Sequence, residues 1–162
     1  MASLGTIDRR RGYVLAGARI FVGYLFIVTW SSNLHKGLYW THGYAGFIQH
    51  YADRTTTPLM PQFLNKVVIP NAAVFSKAQM IAELVIFGVF LLVGFLTPLS
   101  GVLGAGFGLN LLLASWGTGE WWGTYGLLVA LLLVVGLAQS GRTLGVDAYL
   151  LRRNPHPRLP IY

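Results

Sequence analysis

Residues 72–96 read AAVFSKAQMIAELVIFGVFLLVGFL, an apolar run broken only by a few polar side chains. About 20 apolar residues in a helix cross the roughly 30 Å hydrocarbon core of a bilayer. Apolar and polar residues do not alternate along the run, so a membrane-barrel strand is not indicated. A helix also satisfies its own backbone hydrogen bonds where no water is present. We therefore predict a transmembrane helix over 72–96.

Three further apolar segments flank this run, at residues 13–34, 99–116 and 122–138. Thr97-Pro98 predicts a tight turn, because proline ends one helix and suits the first turn of the next. Residues 117–121 form a similarly short link, and short links make neighbouring helices antiparallel. The sequence therefore predicts an all-α membrane protein, a four-helix transmembrane bundle that forms one domain over residues 1–162.

The overall composition agrees with a membrane protein. The chain is 54% hydrophobic and only 10% charged, whereas soluble domains carry about 25% charged residues. The net charge is +7, and the charges flank apolar segments, which favours anionic lipid headgroups over nucleic acid as the partner. The chain has no cysteine, which excludes disulfides, thiol redox chemistry and cysteine-ligated metal centres.

Basic residues predict the orientation of the bundle. The N-terminal flank carries an arginine triplet at 9–11, and the tail carries Arg142, Arg152, Arg153 and Arg158. The positive-inside rule places both ends in the cytoplasm of a bacterial or archaeal cell, with the bundle in its cytoplasmic membrane. The first connection weakens this signal, because it is basic too, with Lys36, Arg54, Lys66 and Lys77.

The first connection contains an apolar stripe at helical spacing. Within LYWTHGYAGFIQHYADR, at 38–54, the stripe comprises Trp40, Tyr44, Phe47, Ile48 and Tyr51. This pattern predicts an interfacial amphipathic helix that lies in the headgroup region or caps the bundle. Pro58, Pro61 and Pro70 then predict an irregular chain as far as the second span.

Ionisable residues within a span are costly and therefore mark candidate functional sites. Arg19 lies in the first span and either snorkels to the headgroups or faces a site. Glu83 in the second span and Asn110 in the third lie at similar depths from the Thr97-Pro98 turn, so they can meet across adjacent helices. They form either a polar site for a head group or proton, or an interhelical hydrogen bond that sets helix register.

Two patterns near the third span have a structural and a functional interpretation. Gly104 and Gly108 form a GxxxG pair, typical of close packing inside a bundle or against a partner. Aromatic residues cluster around the link to the fourth span, at Trp116, Trp121, Trp122 and Tyr125. They are typical of an interfacial anchor, and alternatively form a wall against a flat ligand such as a quinone ring.

Three of the four histidines, His35, His42 and His50, lie in or next to the first connection, and His156 lies in the tail. The first three are compatible with a metal site or haem ligation, but none of these pairs has the i, i+4 spacing of a helical metal motif. The preferred interpretation is therefore that they are interfacial polar residues, and no metal is predicted. No Ser-His-Asp set or carboxylate pair is evident either, because the five acidic residues are far apart.

Short motifs along nearly the whole chain resemble DoxX-like membrane proteins. They occur in the first span (LAGARIFVGYLFIVTWSSNLHKG), in the second span with its turn, and in the tail (GRTLGVDAYL). The matching residues are Arg19, Gly23, Lys36, Glu83, Gly94, Thr97, Pro98, Gly141, Arg142, Gly145 and Asp147.

The resemblance implies kinship with the small DoxD-type subunit of thiosulfate:quinone oxidoreductase. The implied role is that of a membrane subunit in quinone-linked redox chemistry, with quinone as cofactor. The site residues expected on this interpretation are Arg19, Glu83, Asn110, Lys36 and Trp121. The alternative is a non-catalytic structural or assembly subunit of a larger respiratory or photosynthetic complex. The expected protein partners are other subunits of a membrane complex or further copies of this chain in a homo-oligomer. A small transporter or channel is disfavoured, because no inverted repeat is visible.

Overall fold

The computed structural model describes the backbone of residues 2–154 and the side chains of residues 9–154. All regular structure in this range is helical. Arg158 and His156 lie outside the described residues. The helices are α1 (Ala2–His35), α2 (Thr41–Ala52), α3 (Met60–Phe63, continued by the π-helix Leu64–Val68), α4 (Ala72–Val93), α5 (Thr97–Ser115), α6 (Gly123–Leu137) and α7 (Val146–Arg153). A short 3-10 helix, Ser140–Arg142, lies between α6 and α7.

Three helices are long and apolar enough to cross a membrane: α1 from Arg9 to His35, α4 and α5. Helix α6 is equally apolar but has 15 residues, which span about 22 Å at 1.5 Å per residue. Helices α1 and α5 each contact both α4 and α6. The shared core between them contains Val22, Phe26, Phe87, Leu91 and Leu132. The chain is therefore a helical membrane protein with three helices of spanning length and a shorter fourth packed against them.

The turn between α4 and α5 is built from both local and distant residues. Helix α4 ends at Val93, earlier than predicted, because Gly94 takes a φ of +71° in the left-handed region that glycine tolerates. Helix α5 begins at Thr97, with Pro98 in its first turn. The carboxylate of Asp147 accepts hydrogen bonds from the backbone N–H groups of Leu96 (2.8 Å) and Thr97 (2.9 Å). The tail therefore caps the helix that follows the predicted turn.

The first connection contains more helix than its prolines predict. Helix α2 is present, and its face with Tyr44 and Tyr51 is buried against α3, α4 and α5. Trp40, which we expected on this face, is 66% exposed. The predicted irregular chain after Pro58 is wrong, because residues 60–68 are helical, with Pro61 in the first turn of α3. Proline suits a first turn because its missing N–H would have no partner there.

Glycines bring α5 and α6 into direct contact. A Cβ atom at Gly101 would lie 2.6 Å from the Cα of Gly136. Gly104 and Gly108 face the α6 side chains Leu132 and Val129. The GxxxG pair therefore packs inside the bundle and not against a partner, the two environments that its pattern allows.

Candidate functional site

Glu83 is a buried carboxylic acid within α4, with only 2% of its surface exposed. It lies in an eight-residue π-helical segment, Ala82–Val89, that interrupts the α-helical hydrogen-bond pattern. Such segments are rare and occur frequently at functional sites. The local backbone therefore sets Glu83 apart from the rest of the span.

Three donors from three parts of the chain bind the Glu83 carboxylate. The Nδ2 group of Asn33, near the end of α1, donates to Oε2 over 3.1 Å. The Nε2 group of Gln79, one turn before Glu83, donates to Oε1 over 2.7 Å. The hydroxyl of Tyr39 donates to Oε2 as well. These bonds offset the unfavourable burial of a charged group.

A second tyrosine extends this network into α2. The hydroxyl of Tyr44 donates to Oε1 of Gln79 over 3.1 Å. Burial raises the pKa of Tyr44 to about 12. Burial, reinforced by the hydrogen bond to Glu83, raises the pKa of Tyr39 far above its ordinary value. Both hydroxyls are therefore protonated donors at neutral pH.

A cavity of about 470 Å³ lies beside this network, between α1, α4, α5 and α6. We name it the Glu83 cavity. Its polar side chains come from Thr29 and Asn33 of α1, Gln79 and Glu83 of α4, and Thr124 and Tyr125 of α6. The remaining walls are largely apolar and include Phe26, Leu128 and the ring of Trp121. An apolar pocket of roughly 300–1,000 Å³ with a few convergent polar groups is typical of a small-molecule site.

Asn110 lines a different cavity, which we name the Asn110 cavity. It has a volume of about 320 Å³ and lies between α2, α3, α4 and α5. Gln79, Phe107 and Leu111 line both cavities and form the wall between them. Among the described residues, Asn110 makes no hydrogen bond to Glu83. The interhelical hydrogen bond between these two residues, which their similar depth in the bundle allows, is therefore not formed.

Arg19 belongs to a third group, at the opposite end of the bundle. Its side chain is 1% exposed, so it does not snorkel. It donates to the backbone oxygens of Ser140 (3.2 Å) and Leu144 and packs against Gly94 and Gly145. Asp147, fully buried nearby, interacts with it electrostatically. We name these residues the Arg19 cluster: Arg19, Gly94, Ser140, Leu144, Gly145 and Asp147.

The five candidate residues from the sequence therefore do not form one pocket. Arg19 lies about 20 Å along α1 from Asn33, at 1.5 Å per residue. Glu83 and Trp121 line the Glu83 cavity, and Asn110 lines its neighbour. Lys36 is exposed, just after α1, and lines neither of these cavities.

The partners of Glu83 were not among the sequence candidates. Gln79 lies four residues before Glu83, and this spacing places the two on one face of a helix. That signal could have identified Gln79. Asn33 and Tyr39 carry no comparable signal, because only the fold of the first connection brings them to α4. Among the described residues, no group of three histidine or acidic side chains could hold a metal ion.

Comparison with known proteins identifies a family. The model of a family described as "TQO small subunit DoxD" matches residues 15–158, where TQO is thiosulfate:quinone oxidoreductase. No match was found among curated proteins or among solved structures. The matched range includes the Arg19 cluster, the Glu83 network and both cavities. The chain belongs to the DoxD family of small membrane subunits of thiosulfate:quinone oxidoreductase.

Proposed function

We propose that the protein is the membrane subunit of a thiosulfate:quinone oxidoreductase-like complex and that the Glu83 cavity binds the quinone head group. The observation that carries this proposal is a hydrogen-bonded carboxylate at one side of a largely apolar cavity. Family membership supports the quinone-linked role.

The residues of the cavity fit a quinone ring. Its apolar and aromatic walls suit a flat, lipid-soluble ring. The ring carbonyls need hydrogen-bond donors, and the amides of Asn33 and Gln79 both line the cavity. When bound, a quinone supplies a carrier that takes up two electrons and two protons to become a quinol. Asn33 and Gln79 would orient the head group, and Glu83 would fix these amides and exchange a proton at its carboxylate.

In this proposal the protein crosses the bilayer four times. We propose that α6 crosses the bilayer with α1, α4 and α5, and that both termini lie in the cytoplasm. Apolar side chains on α6 support the first point, since Leu127, Val134 and Leu137 are exposed and would face lipid. A water-soluble partner subunit would deliver the electrons, because this cysteine-free chain has no thiol and no cysteine-ligated redox centre.

Quinone binding to the purified full-length chain tests the proposal. We expect a short-chain quinone such as decylubiquinone to raise the thermal midpoint and quench tryptophan fluorescence, because Trp121 lines the cavity. Glu83→Ala removes the acceptor that orients Asn33 and Gln79. Lost hydrogen bonds to a charged group are worth about 1.5–3 kcal/mol, so affinity should fall about 10- to 100-fold.

Asn110→Ala is the matched control, because Asn110 lines only the neighbouring cavity. It should bind quinone as the wild type does. The absence of any quinone effect on the wild-type chain would refute a quinone site in this protein. An unchanged affinity in Glu83→Ala would place the quinone elsewhere. A stable association with other polypeptides, without quinone binding, would favour the alternative of an assembly subunit.

A further inference from the structure

The Glu83 cavity occupies only one half of the bundle. The residues of α1 that line it run from Val22 towards Asn33, near the end of the helix. On α6 the lining residues run from Thr124 to Leu131, in its first half. The cavity therefore lies towards the face that carries the first connection and the α5–α6 link, opposite to the termini. Both loops lie on this face, since Thr56 N–H donates to the backbone oxygen of Trp116 over 2.9 Å.

The other half of the bundle is closed. There, the backbones of Gly101 and Gly136 are in contact, which leaves no space between α5 and α6. Leu91, Leu132 and Val135 are fully buried in this half. The Arg19 cluster then fills the end of the bundle, where Arg19 donates to an oxygen of the tail and Asp147 accepts from the N–H group of Thr97. Of the two ends of the bundle, the face of the connections is therefore the one at which the cavity lies nearer to water.

A hydrogen-bonded pair joins the cavity to water on that face. Tyr125 lines the cavity, and its hydroxyl donates to Oε2 of Glu120 over 3.1 Å. Glu120 lies in the α5–α6 link and is exposed. Its other oxygen, Oε1, accepts a hydrogen bond of 2.9 Å from Tyr51, which lines the Asn110 cavity. Two tyrosines therefore hold the carboxylate at the mouth of the Glu83 cavity.

We propose that Glu120 and Tyr125 conduct protons between the Glu83 cavity and the aqueous phase on the face of the connections. The inference rests on the proposed function and adds the route and the side of proton exchange. Tyr51 is a positioning residue, since it binds Glu120 but does not line the Glu83 cavity.

Each proton transfer accompanies the arrival of one electron, which comes from thiosulfate through the partner subunit. For each electron that reaches the bound quinone, Tyr125 gives its hydroxyl proton to a ring oxygen. The Glu120 carboxylate, which accepts the hydrogen bond of Tyr125 at rest, takes a proton from water and passes it to the Tyr125 oxygen. Two electrons and two such transfers convert quinone to quinol, and neither residue is changed at the end. Proton transfer by positioned side chains typically contributes 10²- to 10⁴-fold to a rate.

The test uses the full-length chain with decylubiquinone, and an electrode supplies the electrons through a soluble mediator. Reaction-induced infrared difference spectra report carboxyl protonation, and tryptophan quenching reports binding. We expect Glu120→Gln and Tyr125→Phe each to slow quinol formation about 100-fold with little change in binding. Glu120→Gln should also remove a carboxyl band that exchanges in D₂O. Tyr149→Phe, at an exposed position of α7 that lines neither cavity, is the matched control and should reduce quinone at the wild-type rate.

Wild-type rates and unchanged carboxyl bands in both Glu120→Gln and Tyr125→Phe would overturn the inference. That result leaves the proposed function intact if quinone still binds in a manner that depends on Glu83. If no quinone binds to the wild-type chain, the proposed function fails and this inference fails with it. Helical content measured by circular dichroism verifies that each variant is folded.

Discussion

Arg19 binds two backbone oxygens of the tail from a buried position. Replacement with methionine keeps the length and apolar volume of the side chain but leaves the oxygens of Ser140 and Leu144 without this donor. An unsatisfied buried acceptor costs about 1–3 kcal/mol. We therefore expect Arg19→Met to lower the free energy of unfolding by about 2–5 kcal/mol, measured by thermal or denaturant unfolding in detergent. Arg9→Met, at an exposed position, should change it little.

The two carboxylate oxygens of Asp147 accept from two different N–H groups. Two substitutions at this position should therefore lower the thermal midpoint by different amounts. Asp147→Asn retains one acceptor, and Asp147→Ala retains none. Loss of a helix cap costs about 0.5–2 kcal/mol, and the negative charge at this helix N-terminus adds to the effect. Thermal midpoints should decrease in the order wild type, Asn variant, Ala variant. Equal midpoints for the wild type and the Ala variant would contradict the capping role.

The sequence identified most of these polar residues as important but could not assign their partners. Burial cost alone marks Arg19 and Glu83. Their separation into a structural cluster and a cavity depends on contacts between distant segments, such as Arg19 with Ser140 and Glu83 with Asn33. Periodicity within a segment carries no information about such contacts.

At the scale of the helices, the α5–α6 contact yields opposite predictions for two glycines of α5. Alanine at Gly101 would place its Cβ 2.6 Å from the Cα of Gly136, and overpacking of this kind costs about 1–3 kcal/mol. Alanine at Gly106 meets no atom within 4 Å, and alanine is favoured over glycine in a helix by up to about 1 kcal/mol. Gly101→Ala should therefore lower the thermal midpoint, and Gly106→Ala should leave it unchanged or raise it.

A glycine at the start of α6 supports the indole ring of Trp121. A Cβ atom at Gly123 would lie 2.6 Å from this ring, so Gly123→Ala must turn the ring away from the cavity wall. We expect weaker quinone binding and less fluorescence quenching. Gly126→Ala, on the same helix with nothing within 4 Å of the new Cβ, should bind normally. Identical quenching in both variants would remove Trp121 from the binding site.

The helices themselves were largely predictable, and their irregular parts were not. Apolar length predicted α4, α5 and the end of α1 to within a few residues, since a helix satisfies its own backbone hydrogen bonds in lipid. The start of α1 was not predicted, because the helix begins at Ala2 and includes the polar flank before residue 13. The π-helical segment around Glu83 was not predicted, because a shift in hydrogen-bond pattern leaves the apolar composition of a span unchanged. Helix α3 was missed because Pro61 was taken to break a helix that it begins.

At the scale of the whole molecule, the absence of cysteine makes the arrangement across the membrane directly testable. Single cysteines at His42, Thr124 and Arg152, all exposed, can be labelled with a membrane-impermeant thiol reagent in sealed vesicles of known orientation. We expect His42→Cys and Thr124→Cys to react from outside the cell and Arg152→Cys from the cytoplasm. Quinone should slow the labelling of Thr124→Cys alone. Labelling of all three from the same side would contradict four spans.

The closed half of the bundle has an energetic consequence for the cell. Moving one charge across a membrane potential of 100 mV is worth about 2.3 kcal/mol. With the electron donor on the same face as Glu120, neither protons nor electrons would traverse the full bilayer. Quinone reduction here would then be electroneutral and would neither build nor consume the potential. The protein would serve as an entry point for reducing equivalents, and energy conservation would fall to the enzymes that reoxidise the quinol.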